Sequence, residues 1–222
     1  MDNIIEIIKK RRSVRRFKPD SVPADLIKKI IEAATLAPSA CNIQGWRFVV
    51  IDNPEIKEEI VNQGGATTIK VAPVGILVVY DKRTRNVEYQ DHIQSGAAAI
   101  QNLLLAATFF GLGSCWLCHL PPKRNLRKIL KIPNNFSPIA YVALGFKEKE
   151  PLEVPRIHSL DSLIGYNVFN SELPQERVSG LKLFSCRVFR RIYYLLPTSL
   201  KKKFLNKFID KKFVKKFDDV HD

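Results

Sequence analysis

Apolar residues recur along the first 150 positions with two different periods, which predict alternating helices and strands. Spacings of three and four predict helices over 3–10, 23–37, 54–61, 88–110 and 121–131. Runs rich in β-branched and aromatic residues predict strands over 46–51, 73–80 and 139–145. The run at 73–80 is apolar at nearly every position, so we expect it to be covered on both faces. No Gly-x-Gly-x-x-Gly follows a predicted strand, which argues against a doubly wound dinucleotide-binding fold.

The long helix at 88–110 carries a row of small residues, Gly96–Ala99. Small side chains let another helix approach closely, so we expect this helix in the centre of the domain or at a subunit contact. Gly111-Leu-Gly113 then ends the helix with the flexible residues that helix termini favour. A short apolar piece, Cys115–Cys118, follows it.

The composition changes after residue 145. Residues 146–176 contain three prolines and little periodicity, which predicts an extended arm. From 177 to 222 we expect a basic, amphipathic helical extension, so the predicted organisation is a body at 1–176 and an extension at 177–222. One face of that extension is apolar and the opposite face is rich in lysine. The apolar positions are Leu200, Phe204, Leu205, Phe208, Ile209, Phe213 and Phe217.

The net charge of +14 is concentrated in the same extension. From Arg177 onward 13 Lys and Arg stand against 4 Asp and Glu, which gives +9 and leaves +5 for the rest. Basic segments with aromatic residues lie in lipid headgroup layers, so 181–217 is a candidate for peripheral membrane contact. The same helices can equally be docked on the body of the protein. We expect no nucleic-acid binding, because the apolar face is continuous and no reader motif is present.

Four cysteines are too few for a disulfide framework in a chain of this length. The amino terminus lacks the pattern of a signal peptide, and no stretch reads as membrane-spanning, so we expect a cytoplasmic location. Cys115-x-x-Cys118-His119 formally matches haem-attachment and thioredoxin-like patterns, but we expect both cysteines to be buried and structural. The histidines show no ligand spacing, and we expect no metal site.

Two polar stretches carry the chemical signal. The first, Arg11–Phe17, follows a short helix and places Ser13 among four arginines, whose paired N–H donors match phosphate oxygens. The second, Pro38–Gln44, places Ser, Asn and Gln side chains in a loop before a strand, where they can reach a planar heteroaromatic ring. Together the two stretches outline a mononucleotide site.

These stretches are part of a larger pattern that resembles the nitroreductase family of FMN-dependent oxidoreductases. The resemblance covers residues 3–160 and leaves the carboxy-terminal extension outside. Four landmarks stand in the family's order. They are Arg11–Arg15 with Phe17, Pro38–Gln44 with Trp46, Gln101–Ala107 leading into Gly111–Trp116, and Ala143–Phe146 followed by Pro155-Arg156.

The resemblance implies an α+β fold, with a mixed or antiparallel sheet flanked by helices, in an intertwined homodimer. Two FMN sites would lie at the subunit interface. Arg11, Ser13 and Arg156 would hold the phosphate and ribityl end of the flavin, with Arg12 assisting. Arg15 would lie near the pyrimidine side of the ring, where a fixed cation favours the negative charge that reduction adds.

The ring side of the site is implied in the same way. Gly113–Cys115 would bring backbone donors, those of Ser114 and Cys115, near the reactive nitrogen of the flavin. The residues lining the ring, expected from the partner subunit, are Pro38, Ser39, Asn42 and Gln44. Gly45 departs from the family, which usually has Pro there. Tyr89 and His92 could contact substrate, although we expect surface roles for both.

The implied activity is a ping-pong reduction of a small organic acceptor, such as a nitro compound or a quinone, by NADH or NADPH. The flavin carries this chemistry, so no protein group is predicted to be catalytic. The alternative is a binding or scaffold protein that associates with an anionic membrane surface through its tail and keeps a non-catalytic flavin site.

Overall fold

The computed structural model describes residues 3–83, 86, 88–169, 179–181, 184, 185, 188 and 192. They fall into two units that divide after Pro151. The first unit contains the sheet and its helices. In the second, residues 152–169 are irregular chain with one short 3-10 helix, Asp161–Leu163, and the residues described at 180, 181, 184, 185, 188 and 192 are helical. Most of the predicted extension at 177–222 lies outside the described residues.

The first unit contains a four-stranded antiparallel sheet, in the order β1-β2-β4-β3. Its strands are β1 Trp46–Ile51, β2 Val74–Asp81, β3 Leu112–Leu117 and β4 Phe136–Phe146. The segment after the first helix adds an isolated parallel bridge, Ser13 to Ser114, at the β3 edge. The α+β prediction is therefore confirmed.

Among the described residues, six α-helices flank this sheet. They are α1 Ile4–Lys10, α2 Ala24–Thr35, α3 Pro54–Asn62, α4 Thr68–Val71, α5 Asp91–Phe109 and α6 Lys123–Leu130. Asn side chains cap two of the helix starts: Asn3 Oδ1 accepts from Ile5 N, and Asn53 Oδ1 accepts from Glu55 N and Ile56 N. The five helices predicted within the first 150 residues all exist, although α5 begins later than the expected residue 88.

The core forms one layer on each face of the sheet. Side chains of β2 alternate between the layers: Ile76 and Val78 pack with α2 and α5, whereas Leu77 and Val79 pack with α3, α4 and α6. This confirms that the apolar run at 73–80 is buried on both faces. The small residues of α5 allow a close approach, as predicted, but Gly96 faces Ile139 of β4, where an added Cβ would lie 3.0 Å from Cγ1.

Two elements were absent from the sequence prediction. β3 begins at Leu112, inside the Gly-Leu-Gly segment that was interpreted only as a helix end. Helix α4 has only four residues and falls in what was expected to be a loop. In addition, β4 begins three residues earlier than predicted, at Phe136. It accommodates Pro138 because the β2–β4 register shifts there, so that the proline lies at a bulge.

The cysteine prediction is half right. Cys115 is buried, as expected, but Cys118 is exposed just beyond the end of β3, where the chain has left the sheet. Cys41 is also exposed. Among the described residues, no helix combines the length and the apolar character needed to cross a membrane.

Candidate functional site

The arginine segment, Arg11–Phe17, lies along the β3 edge of the sheet. Arg11 ends α1, where its backbone N–H donates to Ile7 O at 3.0 Å. Three residues later Val14 N donates to Ser114 O at 2.9 Å, and Lys18 N then donates to Phe146 O at 2.9 Å. These bonds hold residues 11–18 as an added, short edge on β3 and β4. Val14 points into the protein, so Ser13 and Arg15, its neighbours in this extended chain, lie exposed on the other side.

Two arginines of this segment affect the pKa of one buried thiol, that of Cys115. Burial raises the pKa of Cys115, and the guanidinium groups of Arg15 and Arg11 partly oppose that shift. Both groups therefore lie close to β3 at Cys115. Arg12 turns away, because its Nη1 donates to Lys9 O and, at 3.0 Å, to Arg11 O. Its side chain caps the end of α1 in this structure.

Buried donors without a partner lie on β3 beside this segment. Ser114 is 2% exposed. Neither its Oγ nor Trp116 Nε1 has a hydrogen-bond partner in the described structure. Buried polar groups without a partner are uncommon and often mark a ligand site. Gly113 lets the arginine segment approach: a Cβ there would lie 2.8 Å from Val14 Cγ1 and from Lys147 Cγ. This end of the sheet therefore combines cations, donors and a close backbone approach.

The Pro38–Gln44 loop has an unusual backbone. Cys41, Asn42 and Gln44 have φ values of 49°, 53° and 51°, a left-handed conformation that costs non-glycine residues energy. Local bonds hold the loop: Ser39 Oγ accepts from Gln44 N at 3.0 Å, and Asn42 Oδ1 accepts from Gln44 Nε2 at 2.7 Å. Strain that is fixed in this way is typical of functional loops.

Packing accounts for the glycine that follows the loop. A Cβ on Gly45 would lie 2.7 Å from Cε1 of Tyr80, whose ring also packs edge-on against Trp46. Gly45 O accepts from Asp81 N at 2.9 Å, which ties the loop to the end of β2. The departure from the family's proline therefore has a local steric reason.

The arginine segment and the loop lie at opposite ends of the sheet. Ser114 pairs with Leu144, which pairs with Val74 at the start of β2, whereas Trp46 pairs with Tyr80 near its end. Six residues of strand correspond to about 20 Å, and three strand spacings add about 14 Å sideways. By this idealised strand geometry, Ser114 and Trp46 lie about 24 Å apart, so the two features are well separated within one chain.

The remaining predicted residues divide in the same way. Arg11, Ser13, Arg15, Ser114 and Cys115 come together at the β3 edge, and the four loop residues come together at the other end. Arg156 belongs to the second unit, where its side chain is exposed. Its predicted role stays a prediction.

Sequence reasoning missed the residues that support the loop end. Ser95 is buried in the first turns of α5, and its Oγ accepts from Ala40 N at 3.1 Å, which anchors the loop. Tyr89 is exposed as expected. His92 is half-buried and its Nδ1 is buried without a partner in the described structure, so the expectation of a surface role was wrong. The contact of Ser95 with the loop could not be predicted, because a serine among the small residues of a helix gives no signal in the sequence.

Comparison with known proteins identifies the family. A model of the nitroreductase family matches residues 8–71 and 61–146. A protein of Methanothermobacter thermautotrophicus named "Putative NADH dehydrogenase/NAD(P)H nitroreductase" is 36% identical over 154 residues, with 67% of this chain and 80% of that protein covered. The chain belongs to the nitroreductase family.

Solved structures show the same fold. An FMN-dependent nitroreductase of Clostridium difficile is 28% identical with a TM-score of 0.66, and the match covers 74% of this chain and 99% of that one. An iodotyrosine deiodinase bound to FMN and 3-iodo-L-tyrosine is 25% identical with a TM-score of 0.65, covering 75% and 100%. In both comparisons about a quarter of this chain has no counterpart.

Proposed function

We propose that the protein is an FMN-dependent oxidoreductase that uses NADH or NADPH to reduce a small organic acceptor, such as a nitro compound or a quinone. The observation that carries the proposal is the convergence of Arg11, Ser13 and Arg15 on β3, beside the unsatisfied Ser114 Oγ. The Methanothermobacter relative's name pairs NADH dehydrogenase with NAD(P)H nitroreductase, and the Clostridium structure is named as FMN-dependent. Both names support this activity.

The residues present fit the phosphate end of FMN. Guanidinium groups donate pairs of hydrogen bonds to phosphate oxygens, and Ser13 and Ser114 add hydroxyl donors at the same edge. A bound ligand would also give Ser114 Oγ and Trp116 Nε1 the partners that they lack within the described structure.

Bound FMN would supply the redox chemistry, taking hydride from the dinucleotide and passing it to the acceptor in a ping-pong sequence. The protein's part is to bind, orient and polarise. Arg15 provides a fixed cation that stabilises negative charge near the ring without reorganisation. The loop at Pro38–Gln44 provides amide and hydroxyl groups for the rim of the ring.

We propose further that the working form is a homodimer in which each site combines two chains. Within one chain the loop lies about 24 Å from the arginine segment, so it cannot complete that chain's own site. A two-fold axis that brings the loop of one chain to the arginine segment of the other would complete two sites at once.

An uncovered apolar face agrees with such a pairing. A cavity of about 650 Å³ lies among α1, α2 and α5, and its lining includes Ile4, Leu36 and Phe109, which are 57%, 78% and 58% exposed. Large apolar side chains gathered on one face indicate an interaction surface. We assign this face to the second copy of the chain.

Spectroscopy tests the proposed activity directly. The purified protein should show the absorbance bands of bound FMN, and these should bleach when NADH or NADPH is added without oxygen. A nitroaromatic or a quinone should then restore the bands. A protein that neither retains nor takes up FMN would contradict the proposal.

The carboxy-terminal extension supports a second candidate role, peripheral attachment of this enzyme to an anionic membrane from the cytoplasmic side. The segment that carries the lysine and phenylalanine pattern, 200–217, lies beyond residue 146, where the match to the family model ends. Full-length protein should co-sediment with vesicles containing phosphatidylserine, less so at high salt, and a Phe204, Phe208 and Phe213 to Glu variant should not. Equal sedimentation of both proteins would contradict it.

A further inference from the structure

A cluster of cations lies at the loop end of the sheet, away from the arginine segment. Lys82 follows β2, and its backbone N donates to Asn135 O at 2.9 Å, just before β4. Lys123 and Arg127 lie on one face of α6, next to the same end of β4. None of the three forms an ion pair with another residue in the described part of the chain.

The cluster is held in place by hydrogen bonds to neutral groups. Lys123 Nζ donates to Ser137 Oγ at 2.7 Å, and Ser137 is 4% exposed. Arg127 donates to Phe136 O through Nη2 at 2.8 Å and through Nε at 3.2 Å. Burial lowers the pKa of Lys123, and so do Arg127 and Lys82, which shows that the three cations lie near one another.

The cluster extends to the first turn of α5. Burial lowers the pKa of His92, Lys123 lowers it further, and Asp91 opposes them. The imidazole therefore lies near Lys123, and its Nδ1 is one of the buried groups without a partner in the described structure. The other carboxylate nearby, Asp81, is engaged by Arg83 through bonds of 2.8 Å and 2.9 Å from Nε. The local balance is therefore positive.

The same end of the sheet carries the Pro38–Gln44 loop. Ser95 of α5 bonds the loop at Ala40, and Asp81, which precedes Lys82, bonds it at Gly45. The inference rests on the proposed function, in which this loop lines the flavin ring of the partner subunit. The cation cluster would then stand beside the mouth through which a co-substrate reaches that ring.

We infer that Lys82, Lys123 and Arg127 form the subsite for the phosphate groups of the nicotinamide dinucleotide. To deliver hydride, the dinucleotide must bring its nicotinamide to the flavin ring, which leaves its phosphates outside the ring pocket. Ammonium and guanidinium groups without carboxylate partners are the donors that phosphates bind. This subsite is separate from the arginine segment, which serves the phosphate of the flavin.

Anaerobic stopped-flow measurement of flavin reduction tests the inference. Lys123→Gln should raise the apparent Kd for NADPH about tenfold, because it removes a charged hydrogen-bond donor, and Lys82→Gln should raise it several-fold. The effect should shrink as ionic strength rises. FMN content and reoxidation by an uncharged quinone should not change. Lys128→Gln, at an exposed position on the same helix, is the matched control.

The outcomes separate this inference from the proposed function. If wild type is reduced by NADPH but both lysine variants stay within twofold of Lys128→Gln, the inference is wrong and the proposed function stands. If only reoxidation by an anionic nitrobenzoate changes, the cluster serves the acceptor, which also overturns it. A wild-type protein that takes up no FMN would contradict the proposed function and this inference with it. Lys82→Gln keeps the test valid if loss of the Lys123–Ser137 bond alters folding.

Discussion

The arginine segment and the Pro38–Gln44 loop are built in opposite ways. The arginine segment is fixed by the sheet: Val14 is buried, its backbone bonds Ser114, and Gly113 makes room for it. The loop is fixed mainly by local features: left-handed residues and the hydrogen bonds that Ser39 Oγ and Asn42 Oδ1 accept from Gln44, with one anchor at Ser95 of α5. One feature therefore depends on core packing, whereas the other stores backbone strain at the surface.

The contrast between the two features is the reason for proposing a site shared between two copies of the chain. Each feature is incomplete as a flavin site: the arginine segment has cations and hydroxyls without a ring pocket, and the loop has amides without a site for the flavin phosphate. Their separation of about 24 Å keeps them apart within one chain. In the proposed dimer, a flavin would contact the arginine segment of one chain and the loop of the other.

The largest effect should come from removing a cation at the arginine segment. Arg11→Ala should weaken FMN binding about 10- to 100-fold, because a charge-assisted hydrogen bond contributes about 1.5 to 3 kcal/mol. Riboflavin, which lacks the phosphate, should bind this variant as well as it binds wild type. Fluorescence titration with both ligands measures the difference.

Arg16→Ala is the matched control for that measurement. Arg16 is an exposed neighbour of Arg15, and its side chain points to the opposite side of the extended segment. It should bind both ligands like wild type. Equal loss of FMN and riboflavin binding in Arg11→Ala would mean that this residue does not recognise the phosphate.

A smaller and different effect is expected at the loop. Asn42→Ala removes the acceptor of the Gln44 side chain and places Ala at a φ of 53°, which costs about 1 kcal/mol. FMN and riboflavin should therefore weaken alike, by about fivefold. Asn134→Ala, at an exposed turn, controls for the loss of an amide. Selective loss of FMN binding would place the phosphate at the loop.

Cysteine labelling compares the two ends without mutation. Cys41 lies exposed in the loop, so FMN binding in a two-chain site should slow its alkylation by a few-fold. Cys118 is exposed beyond β3 and serves as an internal reference. Peptide mass spectrometry after timed labelling gives both rates. Identical rates for Cys41 with and without FMN would separate the loop from the flavin.

The smallest expected effect concerns Cys115. Burial raises the pKa of this thiol above its usual 9.0, so it should alkylate more slowly than Cys118 up to alkaline pH. Because the folded state retains the proton, the thiol's contribution to stability is present below pH 9.0 and is lost as pH rises through the folded pKa. Arg15→Ala should raise that pKa further, measured by thiolate absorbance. A lower pKa in this variant would place Arg15 away from β3.

Most of the scaffold could be predicted from the sequence, because strong periodicity reports burial on one face or on both. The run at 73–80 and the pattern at 23–37 gave β2 and α2 nearly to the residue. β3 was missed because glycines that end a helix also open a strand where the chain must approach Val14 closely. Helix α4 was missed because four residues are too few to show a helical period.

The candidate site was predictable in composition but not in arrangement. Arg11, Ser13 and Asn42 stand in motifs, so their residue types indicate their chemistry. Which motifs meet depends on strand order and register, which no local pattern contains. The cation cluster around Lys123 could not be predicted for the same reason, because its members come from three separate elements.

Mixing two defective variants tests the central claim most directly. Arg11→Ala removes the phosphate end of a site and Asn42→Ala weakens its ring end, so a mixed dimer contains one doubly altered site and one intact site. Co-expression should restore about a quarter of the wild-type high-affinity FMN sites, because half of the dimers are mixed. A mixture that binds no more FMN tightly than the separate variants would contradict a site shared between chains.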